Sequence, residues 1–118
     1  MLRRICVYGR PDDWRLPLDV AAVHSARFDS LFRNTGAVRD GFAEPVDMAE
    51  MAVRGDDHAT AIRDGMILGT PDEVVATLRK YQAAGVDQFC YGASFGLPYE
   101  TARRSLELFI TDVMPHFA

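Results

Sequence analysis

The stretch that most constrains this chain is Gly69 to Ala118. Thr70-Pro71-Asp72-Glu73 reads as a capping box, with a Thr N-cap, Pro at the first helical position and Glu three residues after the cap. Val74, Leu78 and Tyr81 recur at helical spacing, with Val75 widening the stripe, and Gly85 supplies a left-handed stop. This spacing predicts a helix over Pro71–Ala84. The run Val86–Tyr91 is expected to be a strand buried on both faces. A small-residue loop, Gly92-Ala93-Ser94-Phe95-Gly96-Leu97-Pro98, leads into a last helix. That helix is expected to bury Ala102, Leu106, Phe109, Ile110 and Val113 and to end at Pro115. Helix, strand, loop and helix in this order belong to parallel α/β folds.

The residues before it are less regular. Ile5-Cys6-Val7-Tyr8 predicts a strand, spanning about Arg4–Tyr8, and Gly9-Arg10-Pro11-Asp12-Asp13 a turn. From Leu18 a helix is expected, its apolar face made by Val20, Val23, Phe28, Leu31 and Phe32, with Trp14 and Leu16 tacking the preceding loop to the body. Ala37–Glu44 shows no clean period and reads as loop. Short helices are expected from Pro45 to Gly55 and from an Asp56 cap to Ile62, then a short buried strand at Met66–Leu68. The result is about three parallel strands with four to five helices in a single domain, 1–118. The last two strands, joined by one helix, are expected to be parallel neighbours.

Several segments together resemble the C-terminal end of the bacterial luciferase-like flavin-dependent monooxygenase family. They are Gly69-Thr70-Pro71-Asp72-Glu73-Val74, Ala84-Gly85-Val86-Asp87, Phe95-Gly96-Leu97-Pro98, Ser105-Leu106-Glu107-Leu108-Phe109 and Val113-Met114-Pro115-His116-Phe117. The resemblance is best over 69–118. It implies a (β/α)8, or TIM, barrel and an oxidoreductase using FMN or a deazaflavin on a small-molecule substrate. A complete barrel takes about 250 residues, and this chain has 118. The expected fold is therefore a partial barrel, its last few βα units. The implied function is a wall of the flavin or substrate pocket, with no catalytic residue assigned and no activity expected of this chain alone; the alternative for the cofactor is that this chain alone binds none. The other reading is a non-catalytic α/β assembly or binding module derived from that family.

In parallel α/β units ligands sit beyond the carboxyl ends of the strands. Tyr91, Gly92, Ser94 and Phe95 follow the last strand and are the candidate pocket residues, set against a loop needed only for geometry. Capping accounts for Thr70. His58 beside Asp56 and Asp57 has the makings of an acid–base pair, but acidic residues are expected at a helix start. His24 reads as a packed or half-exposed helical residue and His116 as solvated. Glu100, Arg103, Arg104 and Glu107 read as a solvated outer face held by i,i+3 and i,i+4 pairs. No dinucleotide, P-loop, nucleophile-elbow or zinc-protease motif occurs.

Charge and cysteine usage narrow the partners. A net charge of −4 argues against nucleic acid and anionic membranes. Cys6 and Cys90 form neither a metal motif nor a disulfide framework. No apolar run reaches membrane-spanning length, and Ile5–Tyr8 is too short for a leader core. The expected location is the cytoplasm.

Three parallel strands outside a closed barrel leave two unpaired edges. Leaving a few hundred Å2 of apolar surface open costs several kcal/mol, at about 25 cal/mol per Å2. A homo-oligomer, or a complementing barrel chain, is therefore expected, with Met66–Leu68 or Val86–Tyr91 at the interface. Light scattering at micromolar concentration is expected to give at least a dimer. A concentration-independent mass of 13.1 kDa would mean that the chain closes its own sheet.

Overall fold

A computed structural model of the chain describes residues 2–32, 38–43, 62–93 and 95–117. The described part is α/β. Three strands, β1 (Leu2–Val7), β4 (Met66–Gly69) and β5 (Cys90–Gly92), form one parallel sheet. The helices described at full length are α1 (Arg15–Phe32), α2 (Pro71–Ala83) and α3 (Tyr99–Leu108).

The strand order is β4-β1-β5. The last two strands are parallel, as expected, but they are not neighbours, because β1 lies between them. The reason is burial. Ile5, Cys6 and Val7 are all buried, on alternating faces, so β1 is apolar on both sides and takes the centre. Ile5 and Val7 join Ile67, Val74, Leu78 and Val113 under α2 and the chain's end. Cys6 and Met66 join Ala21, Ile62 and Phe95 on the other face, under α1.

The capping box is present at the start of α2. The Thr70 amide and hydroxyl both donate to Glu73 Oε2, at 2.9 and 3.2 Å. A Cβ on Gly69 would come within 2.8 Å of the Glu73 Cβ, so the residue before the cap must be small. At the other end Gly85 adopts φ +89°. Its N–H reaches the Gln82 carbonyl at 3.0 Å and the Val86 N–H the Tyr81 carbonyl at 3.1 Å, a Schellman closure. That closure takes the Val86 amide away from any ladder. The expected strand Val86–Tyr91 is accordingly reduced to Cys90–Gly92, with Cys90 exposed at the sheet edge.

Other expectations are revised. The span read as loop at Ala37–Glu44 contains a hairpin, β2 (Val38–Arg39) with β3 (Phe42–Ala43). Asp40 and Gly41 between them have φ of 53° and 83°, the double positive φ that an Asp-Gly turn provides. On α1 the buried side is Pro17 and Ala21, while Val23 and Phe28 are exposed; Trp14 and Leu16 are 37% and 47% exposed. On the last helix Ser105 and Val113 are buried, and Leu106 and Ile110 are exposed. The helix does not simply stop at Pro115. It widens into a π turn at Phe109–Val113 and tightens into a 3-10 turn at Met114–His116. A proline ring clashes with the carbonyl four residues back, here that of Thr111, so regular α geometry cannot continue to Pro115. The helices expected at Pro45–Gly55 and Asp56–Ile62 lie outside the described residues, apart from helical residues 62–64.

Thr70→Ala is expected to lower stability by about 1 kcal/mol in a denaturant titration. A loss within error of zero would show that α2 does not depend on its cap.

Candidate functional site

β5 pairs only with the first half of β1, at Leu2, Arg3 and Arg4. Gly92 permits this pairing, since a Cβ there would sit 2.7 Å from the Arg3 carbonyl oxygen. Beyond Arg4 the same side of β1 faces α3. The Tyr8 amide donates to the Gly69 carbonyl of β4 at 3.0 Å. In a parallel ladder the neighbouring amide, that of Val7, points the opposite way, where β5 has ended. Ser105 of α3 fills that place: its Oγ accepts the Val7 N–H at 2.8 Å. The Tyr91 hydroxyl lies 2.7 Å from the same oxygen. Ser105 thereby joins β1, β5 and α3 in one buried polar knot.

The space beside this knot is a cleft of about 900 Å3, within the range of small-molecule sites. Its floor is the carboxyl end of β1, Cys6 to Gly9, together with Ser105 and Leu108. One wall is the turn into α1, with Arg10, Asp12, Asp13, Arg15 and Pro17. The other is the first turns of α3, with Glu100, Thr101 and Arg104. Burial raises the Cys6 thiol above its usual range, against the lowering effect of its hydrogen bond with Ser105. Burial, and next the negative charge of Glu73, raise the Tyr8 phenol. Both groups are neutral at physiological pH, so the cleft has an uncharged floor and a charged rim. At the rim Arg10 is held by Asp13 through contacts of 3.0 and 3.3 Å. The Arg15 guanidinium lies 5.6 Å above the Trp14 ring. Glu100 is turned toward Arg103, which also approaches Glu107.

The residues expected to line a pocket have other surroundings. Tyr91 is half-buried, its ring 4.8 Å from that of Phe109 and its hydroxyl on Ser105. Burial raises its phenol, against the lowering effect of the Ser105 bond. Gly92 is shaped by its contact with Arg3. Phe95 is fully buried in the α1-side core. Ser94 lies outside the described residues, as do His58, Asp56 and Asp57. Tyr91, Gly92 and Phe95 do not line the cleft. His24 is half-buried on α1. His116 is exposed beside a shallower groove at the carboxyl end of β4, shared with Thr70, Asp72 and Asp112. Glu100 and Arg104 are exposed, as expected, with the i,i+3 and i,i+4 pairs formed by Arg103 to Glu100 and Glu107, and Glu100 and Arg104 also border the cleft.

The sequence reading missed Tyr8, Gly9, Arg10 and Arg15. The signal that could have found them is positional: Gly9 follows a strand as directly as Gly69 and Gly92 do, so its turn stands at a third carboxyl end. Among the described residues no group of His, Cys, Asp or Glu is placed to hold a metal ion. Nor is any described helix long and apolar enough to cross a membrane.

No family model matches the chain, and no solved structure matches it. The chain is 27% identical, over all of its 118 residues, to the oxygenase component of the flavin-dependent trigonelline monooxygenase of Acinetobacter baylyi. It spans 33% of that protein's length, matching its C-terminal third. It is 28% identical to thymidylate kinase of Dinoroseobacter shibae, with 88% of this chain and 58% of that enzyme covered. Mitochondrial lipoyl synthase of Sorghum bicolor is 33% identical over 64% of this chain and 20% of its own length. The first of these matches supports the flavin-dependent monooxygenase resemblance.

Ser105→Ala keeps the helix but strips the buried Val7 amide of its acceptor. A loss of about 1–3 kcal/mol is expected, the cost of an unsatisfied buried donor. Tyr91→Phe leaves the Val7–Ser105 bond in place and is expected to cost less. Equal stabilities for wild type and Ser105→Ala in urea would show that the knot does not hold the last helix.

Proposed function

We propose that this chain is the C-terminal part of a luciferase-like flavin-dependent oxidoreductase, supplying one wall of the flavin or substrate pocket. The observation that supports this most is the coincidence of two facts. The chain aligns along its whole length with the C-terminal third of a flavin-dependent oxygenase component. A cleft among its described residues opens at the carboxyl end of a parallel strand, where α/β enzymes hold their ligands. The match to a kinase has no such companion, because no P-loop motif occurs in this chain.

The described residues suit one wall and no more. Pro17 and Leu108 offer apolar contact, and the rim offers guanidinium donors. FMN or a deazaflavin, when bound, supplies the redox chemistry. The chain's own residues bind, orient and exclude water. The segment holding Tyr91, Gly92, Ser94 and Phe95 enters this reading as a second contributor, at the carboxyl end of β5.

The non-catalytic alternative is favoured by a different observation, the strand order. With β1 seated between β4 and β5, the sheet is continuous and has helices on both faces. Such an arrangement suits a self-contained module.

The purified chain alone is expected to show no oxygen-dependent oxidation above a free-flavin control. A chimera carrying this chain in place of the corresponding third of the Acinetobacter oxygenase component is expected to bind flavin and consume oxygen. A chimera that folds but stays colourless and inert would favour the non-catalytic module.

A further inference from the structure

The strands expected to meet a second copy leave little apolar surface for it. Met66 and Ile67 are buried within the chain, and the last strand is cut to Cys90–Gly92. A bare apolar row lies instead on the last helix. Leu106, Ile110 and Met114 are 40%, 50% and 49% exposed, and they belong to neither side of the core. They stand at i, i+4 and i+8, about one turn apart. In a regular α-helix each four-residue step drifts by about 40°, so such a row would curl around the helix. The π turn at Phe109–Val113 has more residues per turn. It offsets that drift and keeps the row on one line. Ser105 and Val113 anchor the buried side, so the row cannot turn inward without breaking the bond between Ser105 and the Val7 amide.

We propose that this row is the contact face of a homodimer, packed antiparallel against the same row of a second copy across a twofold axis. The spacing selects a second copy as the occupant. A twofold axis sets the same patch against itself, so on antiparallel helices the pattern must read alike in both directions. The row does so about Ile110: Ile110 meets its own counterpart at the axis, and Leu106 meets Met114 on either side. The charges agree with this register. Arg103 holds Glu107 of its own helix at 3.5 Å. Arg103 also falls opposite position 117, at the carboxyl end of the facing helix, where a cation is favoured. With the stems of Arg103 and Glu107 and with Ala102 beside the row, the contact buries on the order of 1,000 Å2 in total, the lower limit of a specific interface. The dimer is therefore expected to be weak, dissociating in the micromolar range. The inference goes beyond the pocket reading and does not rest on it. The row lies across the helix from the cleft residues Glu100, Arg104 and Leu108, and its test needs no flavin.

Sedimentation equilibrium on the whole chain, from low to high micromolar concentration, is expected to show a mass rising from 13.1 kDa toward twice that value and stopping there. Ile110→Glu sets two carboxylates at the axis and is expected to weaken association about tenfold or more. Ile110 is half-exposed, so this variant is expected to keep the fold, which circular dichroism verifies. Val23→Glu, at a comparably exposed position on α1, is expected to leave association unchanged. In a Cys90→Ser background, mild oxidation is expected to link Ile110→Cys to itself, and Leu106→Cys to Met114→Cys when the two variants are mixed. A mass of 13.1 kDa at every concentration would overturn the proposal and leave the row to a segment of a longer chain. Growth past twice that mass, as an open strand edge gives, would overturn it too. So would association undiminished by Ile110→Glu, or an Ile110→Cys variant that links to itself no faster than Leu106→Cys does.

Discussion

The hydrogen bond from the Val7 amide to Ser105 Oγ is the interaction on which the described fold turns. A central strand of a parallel sheet exposes donors and acceptors on both sides, and each needs a partner if buried. β4 serves one side of β1 along Arg4 to Val7. β5 serves the other side only as far as Arg4. A buried strand with a short neighbour therefore has an orphan amide, and a hydroxyl on the following helix is an economical answer. Once Ser105 must point at Val7, the rotation of α3 is fixed. Val113 then turns to the core and Leu106 and Ile110 to solvent.

This explains which parts of the sequence were readable. The ends of α2 were, because a capping box and a Gly stop are local: Thr70, Glu73 and Gly85 act within a few residues of themselves. The buried face of the last helix was legible only in part: Val113 is inside and Phe109 packs against the core, as expected. Apolar periodicity put Leu106 and Ile110 inside, but the position that had to face the sheet was a polar one, and hydropathy cannot see an orphan amide on another strand. The Asp40-Gly41 hairpin was legible in principle, since that dipeptide permits positive φ twice. Strand order was not legible. Local pattern says that Ile5–Tyr8 and Met66–Leu68 are strands, yet which pair meets depends on the burial of both faces of β1.

The candidate site was half legible. The rule that ligands gather at strand carboxyl ends was applied to two ends of three. Small residues were taken as a sign of ligand approach. Gly92 shows how the same sign arises from protein packing, with the Arg3 carbonyl in the place a ligand would take. Phe95 shows the reverse error: an aromatic residue in a glycine-rich loop became the largest fully buried side chain of the α1-side core. A sequence shows residue type and spacing, and the difference between lining a core and lining a cleft is a matter of which side the backbone presents.

The cleft and the knot have one origin. A β5 extended along β1 would pair the Val7 amide directly, make Ser105 unnecessary and fill the space beside Cys6, Val7 and Tyr8. Its shortness follows from its surroundings. The Schellman closure of α2 uses the Val86 amide at one end, and Gly92 marks the last paired residue at the other. The chain thus forgoes ladder hydrogen bonds and recovers one through a side chain, leaving a hollow with a satisfied floor. A hollow whose backbone groups were unpaired would be costly to keep dry and would invite another strand. Because Ser105 takes the Val7 amide, the cleft keeps a stable floor without a further strand.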